Sequence, residues 1–118
     1  MALRCFLNGK IHRATITGAD RDYEGSLAVD RKLLQAAGIA VNEQVEVYNL
    51  DNGERLTTYA IVGEPGEICL NGAAALKGEP GQRVIIAAYV WLDNPEVAGH
   101  CPRVVFVDGA NRIRTSKE

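Results

Sequence analysis

The stretch DYEGSLAVD, Asp22 to Asp30, sets an open carbonyl directly before an oxygen nucleophile at Gly25-Ser26. Glycine leaves its carbonyl carbon unshielded and permits strained backbone angles, while serine carries a hydroxyl one residue downstream. Taken alone the pair reads as a turn, because Gly-Ser is among the commonest turn dipeptides. No nucleophile elbow surrounds Ser26, and the two histidines, His12 and His100, lack a recognisable triad partner. Ordinary serine-hydrolase chemistry is therefore a poor reading.

Three other segments carry side chains suited to binding or proton transfer. In Lys10-Ile11-His12-Arg13, strand alternation puts Lys10 and His12 on one face and Ile11 and Arg13 on the other. That is either a solvated basic face or a local anion site with Lys10 in a cleft. In RLTTYA, Arg55 to Ala60, Arg55 and Tyr59 share a face while Thr58 lies on the opposite one. Arg55 can fork onto a carboxylate and Tyr59 can donate a proton. For Thr58 and Tyr59 to serve one centre, the backbone must twist or the centre must lie between subunits. In NGAAA, Asn71 to Ala75, a flexible glycine and small side chains leave backbone N–H groups open to a carboxylate, although a packed turn explains them as well.

The elements that must position these residues are mostly strands. Short runs rich in Val, Ile, Thr and Tyr, punctuated by Gly, Asn, Asp and Pro, predict a mainly β domain of about six to eight strands. ALRCFLNG and KIHRATIT come first, with Gly9 marking a bulge or bend between them, followed by SLAVD. DRKLLQAAGI predicts a short helix with Asp30 as N-cap and Gly38 in the left-handed C′ position, packed against a barrel end. EQVEVYNL and RLTTYAIVG flank Asn52-Gly53, the strongest hairpin signal in the chain. GEPGEICL, a helical turn at NGAAAL, the long strand QRVIIAAYVWL and the strand RVVFVDG complete the series. DNPEVAGHCP reads as a polar connection and NRIRTSKE as a solvated tail. Many short strands with little helix favour a small closed barrel, with a sandwich as the alternative.

Composition narrows the function classes. The 118 residues suit one domain spanning residues 1–118, and 47% hydrophobic with 24% charged residues predicts a folded globular chain. A net charge of -2 gives no broad electrostatic footprint for nucleic acid or an anionic membrane. The longest apolar runs are about half of what a bilayer span needs, and MALRCFLNGK has no signal-peptide core, so cytoplasmic residence is the expectation. Cys5, Cys69 and Cys101 form neither a disulfide framework nor a metal motif, and read as reduced packing residues. No metal site is expected, and no P-loop pattern is present.

Together, GKIHRATIT, YEGS, NGERLTTYAI and NGAAA, with LLQAAGI and GQRVIIAAY, resemble the aspartate 1-decarboxylase family from about residue 1 to residue 108. The resemblance implies a double-psi β-barrel with short helices, assembled as a homotetramer with its sites between neighbouring subunits. It implies self-cleavage at Gly25-Ser26 into a β chain, residues 1–25, and an α chain, residues 26–118, with Ser26 converted to a covalent pyruvoyl group. That group forms a Schiff base with L-aspartate, whose decarboxylation yields β-alanine for pantothenate biosynthesis, without pyridoxal phosphate or metal. By the same resemblance Thr58 supports processing by polarising the Gly25 carbonyl, and Tyr59 reprotonates the carbanion. Substrate is bound by Lys10, Arg55, Thr58, Gly72, Ala73 and Ala74, with Asn71 in a supporting place and His12 beside the site without a chemical step. The segment from Tyr59 to Asn71 is slightly shorter than the family pattern, which concerns a turn. A noncatalytic β-barrel binding or assembly module with the bond intact, and a pyruvoyl decarboxylase of another small amino acid, are the alternatives. The motifs do not distinguish spontaneous cleavage from cleavage aided by a maturation partner.

Overall fold

The computed structural model describes residues 2–114. The runs ALRCFLNG and KIHRATIT form one strand, β1 (Arg4–Thr15), with the expected irregularity at Gly9. Its register against the antiparallel β7 (Arg83–Leu92) shifts between Leu7 and Gly9 and again between Ile11 and Ala14. A Cβ on Gly9 would lie 2.1 Å from the carbonyl oxygen of Ala37 at the end of helix α1 (Arg31–Ala37). Glycine is required at this bulge because the helix end presses on the strand. The second shift carries Arg13 to a φ of +66° and breaks the expected alternation. Ile11 is fully buried while Arg13 is exposed, so the two do not share a face.

Helix α1 is capped as its sequence predicts. One Asp30 oxygen accepts the Lys32 N–H at 2.8 Å, the other accepts Gly66 N–H at 2.8 Å, and Gly38 ends the helix at a φ of +69°. Leu33, Leu34 and Ala37 face the core. Strands β4 (Gln44–Asn49) and β5 (Arg55–Gly63) form the anticipated antiparallel hairpin, with Tyr48 opposite Arg55 and Gln44 opposite Tyr59. Gly53 takes the positive φ, +75°, while Asn52 accepts the Glu54 N–H on its side chain at 2.9 Å. The connection is thus longer than a two-residue turn, and Asn49 braces it by accepting the Asp51 N–H at 2.8 Å.

Strand β3 (Leu27–Asp30) runs parallel to β5 and antiparallel to β6 (Ile68–Asn71), and the three-residue β2 (Gly18–Asp20) lies beside β6. Asn71 leads into a 3-10 helix, Gly72–Lys77. Strand β8 (Arg103–Val107) runs parallel to β1 and carries β9 (Ile113–Arg114) on its free side. The resulting order is β2-β6-β3-β5-β4-β7-β1-β8-β9, nine strands among the described residues. The count exceeds the expected range because β2 and β9 are too short to show a period in the sequence. A four-residue helix, α2 (Asn94–Val97), lies within the expected polar connection. The fold is mainly β and barrel-like, with Ile11, Leu27, Val29, Val47, Leu70 and Ile86 among the side chains filling its inside. Among the described residues no helix is long and apolar enough to cross a membrane.

The expected solvated tail is structured over its described part; residues 115–118 lie outside the described residues. Asn111 is 2% exposed and bonds to two distant segments. Its Oδ1 accepts the Thr15 N–H at 2.7 Å, and its Nδ2 donates to the carbonyls of Thr15 at 2.8 Å and Gly66 at 2.9 Å. This side chain ties the end of β1 to the β5–β6 turn, and β9 follows directly. Asn111→Ala leaves these buried backbone groups unpaired and also strains a position whose φ is +62°. The expected loss is about 3 kcal/mol, read as a lower urea midpoint at an unchanged m-value.

Candidate functional site

The Glu24-Gly25-Ser26 segment sits at the entry to β3 and is gripped by both neighbouring strands. In the parallel β3·β5 pair Leu27 stands opposite Ala60, both fully buried, so the chain just before Leu27 runs alongside Thr58 and Tyr59. The Thr58 hydroxyl, on the inner face, donates to Ser26 Oγ. The Tyr59 hydroxyl, on the outer face, donates to the Glu24 carbonyl at 3.1 Å. Opposite faces of one strand thus reach the same short segment, because that segment passes β5 before its own β pairing begins at Leu27. From the other side Asn71, at the end of β6, donates its backbone N–H to the Ser26 carbonyl at 2.9 Å.

Gly25 is buried, and a Cβ there would lie 2.4 Å from Ile61 Cδ1 and 3.2 Å from a Tyr23 ring carbon. Its φ is not among the positive ones, so no left-handed backbone angle calls for glycine here, and the crowding comes from side-chain ends. Gly72 does use a positive φ, +61°, to turn β6 into the 3-10 helix. Ala73 is exposed and Ala74 is buried in the core, so Ala74 has only its backbone to offer a ligand.

Sequence reasoning missed Tyr23 and Ile61, which cover Gly25, and assigned Cys69 to packing alone. The Cys69 thiol donates to Asn71 Oδ1 at 3.2 Å. Burial, followed by the charges of Glu67 and Asp20, pushes that thiol up and keeps it a neutral donor. The signal was available in the two-residue spacing of Cys69 and Asn71, which puts both on one side of a strand. A cleft of about 460 Å³, lined by Tyr23, Glu24, Gly25, Asn42, Tyr59 and Ile61, opens over the segment. A larger one, about 670 Å³, lies between α1 and residues 110–113, remote from these groups.

The aspartate decarboxylase family model matches residues 1–114. The chain is 56% identical to the aspartate 1-decarboxylase of Neisseria meningitidis serogroup C over 94% of this chain and 89% of that one. It is 53% identical to that of Myxococcus xanthus over 93% and 86%, and 51% identical to that of Tolumonas auensis over 98% and 94%. The chain belongs to the aspartate decarboxylase family.

Within this aspartate decarboxylase family chain, the two cations singled out for substrate stand apart from Ser26. Arg55 is on the same face of β5 as Tyr59 but four residues away, about 13 Å along a strand. Lys10 pairs with Ala87, and its row continues through Glu46 to Thr57, which separates it from β5 by about 14 Å across the sheet. Neither lines the cleft over Gly25, whose walls carry no cationic side chain.

His12 also lies on β1, edge-on to Phe106 at 5.6 Å between ring centroids, with Nδ1 buried and unpartnered. Burial, then the charges of Lys10 and Arg13, hold its pKa below the ordinary 6.5. The unfolded chain therefore binds more protons than the folded one in mildly acid solution. The His12 contribution to stability is intact above 6.5 and erodes as pH falls below it. His12→Gln should flatten this acid limb, measured as urea midpoints between about pH 7 and 5.

Proposed function

We propose that the chain decarboxylates L-aspartate to β-alanine and CO2 in the pantothenate pathway, on a pyruvoyl group made from its own Ser26. The observation that carries this reading is the grip on Gly25-Ser26 by Thr58, Tyr59 and Asn71, in a chain whose relatives are named aspartate 1-decarboxylase.

Processing starts from the contact between Thr58 and Ser26. Thr58, expected to polarise the Gly25 carbonyl, instead meets Ser26 Oγ, and in this reading it holds the rotamer from which Oγ attacks. The new Oγ–C bond at Gly25 replaces the peptide C–N bond, and the freed Ser26 nitrogen takes up a proton. Loss of the Ser26 α-proton then expels the Gly25 carboxylate, and hydrolysis of the resulting dehydroalanine releases ammonia. The products are chains 1–25 and 26–118, with the pyruvoyl group at the new N-terminus.

Once formed, the group supplies a ketone that condenses with the substrate amine and withdraws the electron pair left when CO2 departs. The Ser26 carbonyl remains beside that ketone, and the Asn71 N–H at 2.9 Å favours negative charge on its oxygen. Tyr59, whose hydroxyl already reaches this segment, returns the proton to the substrate carbon. Gly72, Ala73 and Ala74 present backbone, and Thr58 its hydroxyl, to the substrate. Arg55 and Lys10 bind its carboxylates. Because neither reaches Ser26 within one chain, they act at the Ser26 of a neighbouring copy, which makes the working unit an oligomer, here a homotetramer in the cytoplasm.

Denaturing intact-mass measurement tests the reading. Wild-type protein should give two chains that divide after Gly25, and Ser26→Ala should give one uncut chain without β-alanine release. Thr58→Val keeps the shape but loses the hydroxyl, and should slow cleavage at least about tenfold, one lost hydrogen bond to a reacting group. An uncut chain that releases β-alanine contradicts the proposal.

A further inference from the structure

Arg55 has no acidic partner in either ion pair seen among the described residues, Lys77–Glu54 and Arg112–Asp108. The acid on the adjacent strand, Glu46, has its two oxygens at 3.0 and 2.9 Å from Thr57 Oγ1. What holds the guanidinium is an aromatic face: Arg55 Cζ lies 4.5 Å from the centroid of the Tyr48 ring, its direct cross-strand neighbour. An arginine held by its face keeps its N–H edge free for a forked carboxylate, whereas an ion pair would occupy that edge.

The ring is itself fastened. Tyr48 and Tyr89 share a hydroxyl-to-hydroxyl hydrogen bond of 2.9 Å, in which either can donate. It links β4 to β7 on the outer face that also carries Lys10 and Arg55. Burial first, then the bond to Tyr89, pushes the Tyr48 phenol up to about 12. The ring therefore stays neutral near neutral pH and offers Arg55 no phenolate to turn toward.

We propose that Tyr48, latched by Tyr89, is a positioning residue that sets the guanidinium of Arg55 for the substrate carboxylate. The proposal rests on Arg55 being a carboxylate ligand. Tyr48 acts through Arg55, so it governs the capture of substrate and not the chemical step.

Steady-state kinetics of Tyr48→Phe, Tyr89→Phe, the double variant and Arg55→Lys test it, with each preparation normalised to its cleaved fraction by intact mass. Each Phe variant keeps its ring and loses one hydroxyl. Each should raise KM for L-aspartate roughly three- to fivefold with kcat within about twofold. The double variant should be no worse than either single one, because both break the same bond. Arg55→Lys should raise KM more than about tenfold. Raised KM for Arg55→Lys with unchanged KM for both Phe variants overturns the latch alone, as do Phe effects that multiply in the double variant. Unchanged KM for Arg55→Lys overturns the reading of Arg55 and the latch with it.

Discussion

Where β3 meets β5, the register with Leu27 opposite Ala60 decides what the chain immediately upstream can touch. Both residues are fully buried, so a one-residue slip would turn the β3 core residues outward, a displacement the packed interior opposes. Given that register, Ser26 must enter beside Thr58, and Glu24 must pass the Tyr59 hydroxyl. Strand β6, antiparallel on the other edge of β3, delivers the Asn71 N–H to the Ser26 carbonyl. The interior therefore aligns a segment that is itself too irregular to hold a shape by backbone pairing. Gly25 lets Ile61 and Tyr23 close over it, and a Cβ there would push their side-chain ends aside.

The same sheet holds its second set of polar groups at a distance. Lys10, Glu46, Tyr48 and Arg55 lie on the outer face of β1, β4 and β5, spread over strands on either side of β7. The cleft over Gly25 has no cation in its walls. Those cations face outward from their own chain, and the proposed function has them meet the Ser26 of a neighbouring copy. In this account the reacting bond and the carboxylate anchors are parts of one site contributed by different chains.

Features governed by local rules were legible in the sequence. Asp30 and Gly38 bracket α1 through cap chemistry, and Asn52-Gly53 marks the β4–β5 hairpin through its turn angles. The candidate site was legible as a set of motifs, because Gly25-Ser26 alone is indistinguishable from a turn. Contacts between residues far apart in the chain were not legible. Asn111 bonds Thr15 across 96 positions, and Tyr48 meets Tyr89 across 41, with no periodicity to announce either. The tail was misread because a two-residue strand is shorter than any pattern, and Arg13 because a bulge resets alternation within a strand.

The central claim is that the carbonyl which captures the substrate amine is made from Ser26. Reduction by borohydride in the presence of isotopically labelled L-aspartate, followed by mass measurement of the separated chains, tests it most directly. The account predicts that the labelled substrate-derived mass is fixed to the N-terminus of chain 26–118. Label on chain 1–25, or turnover of aspartate with neither chain labelled, would contradict it.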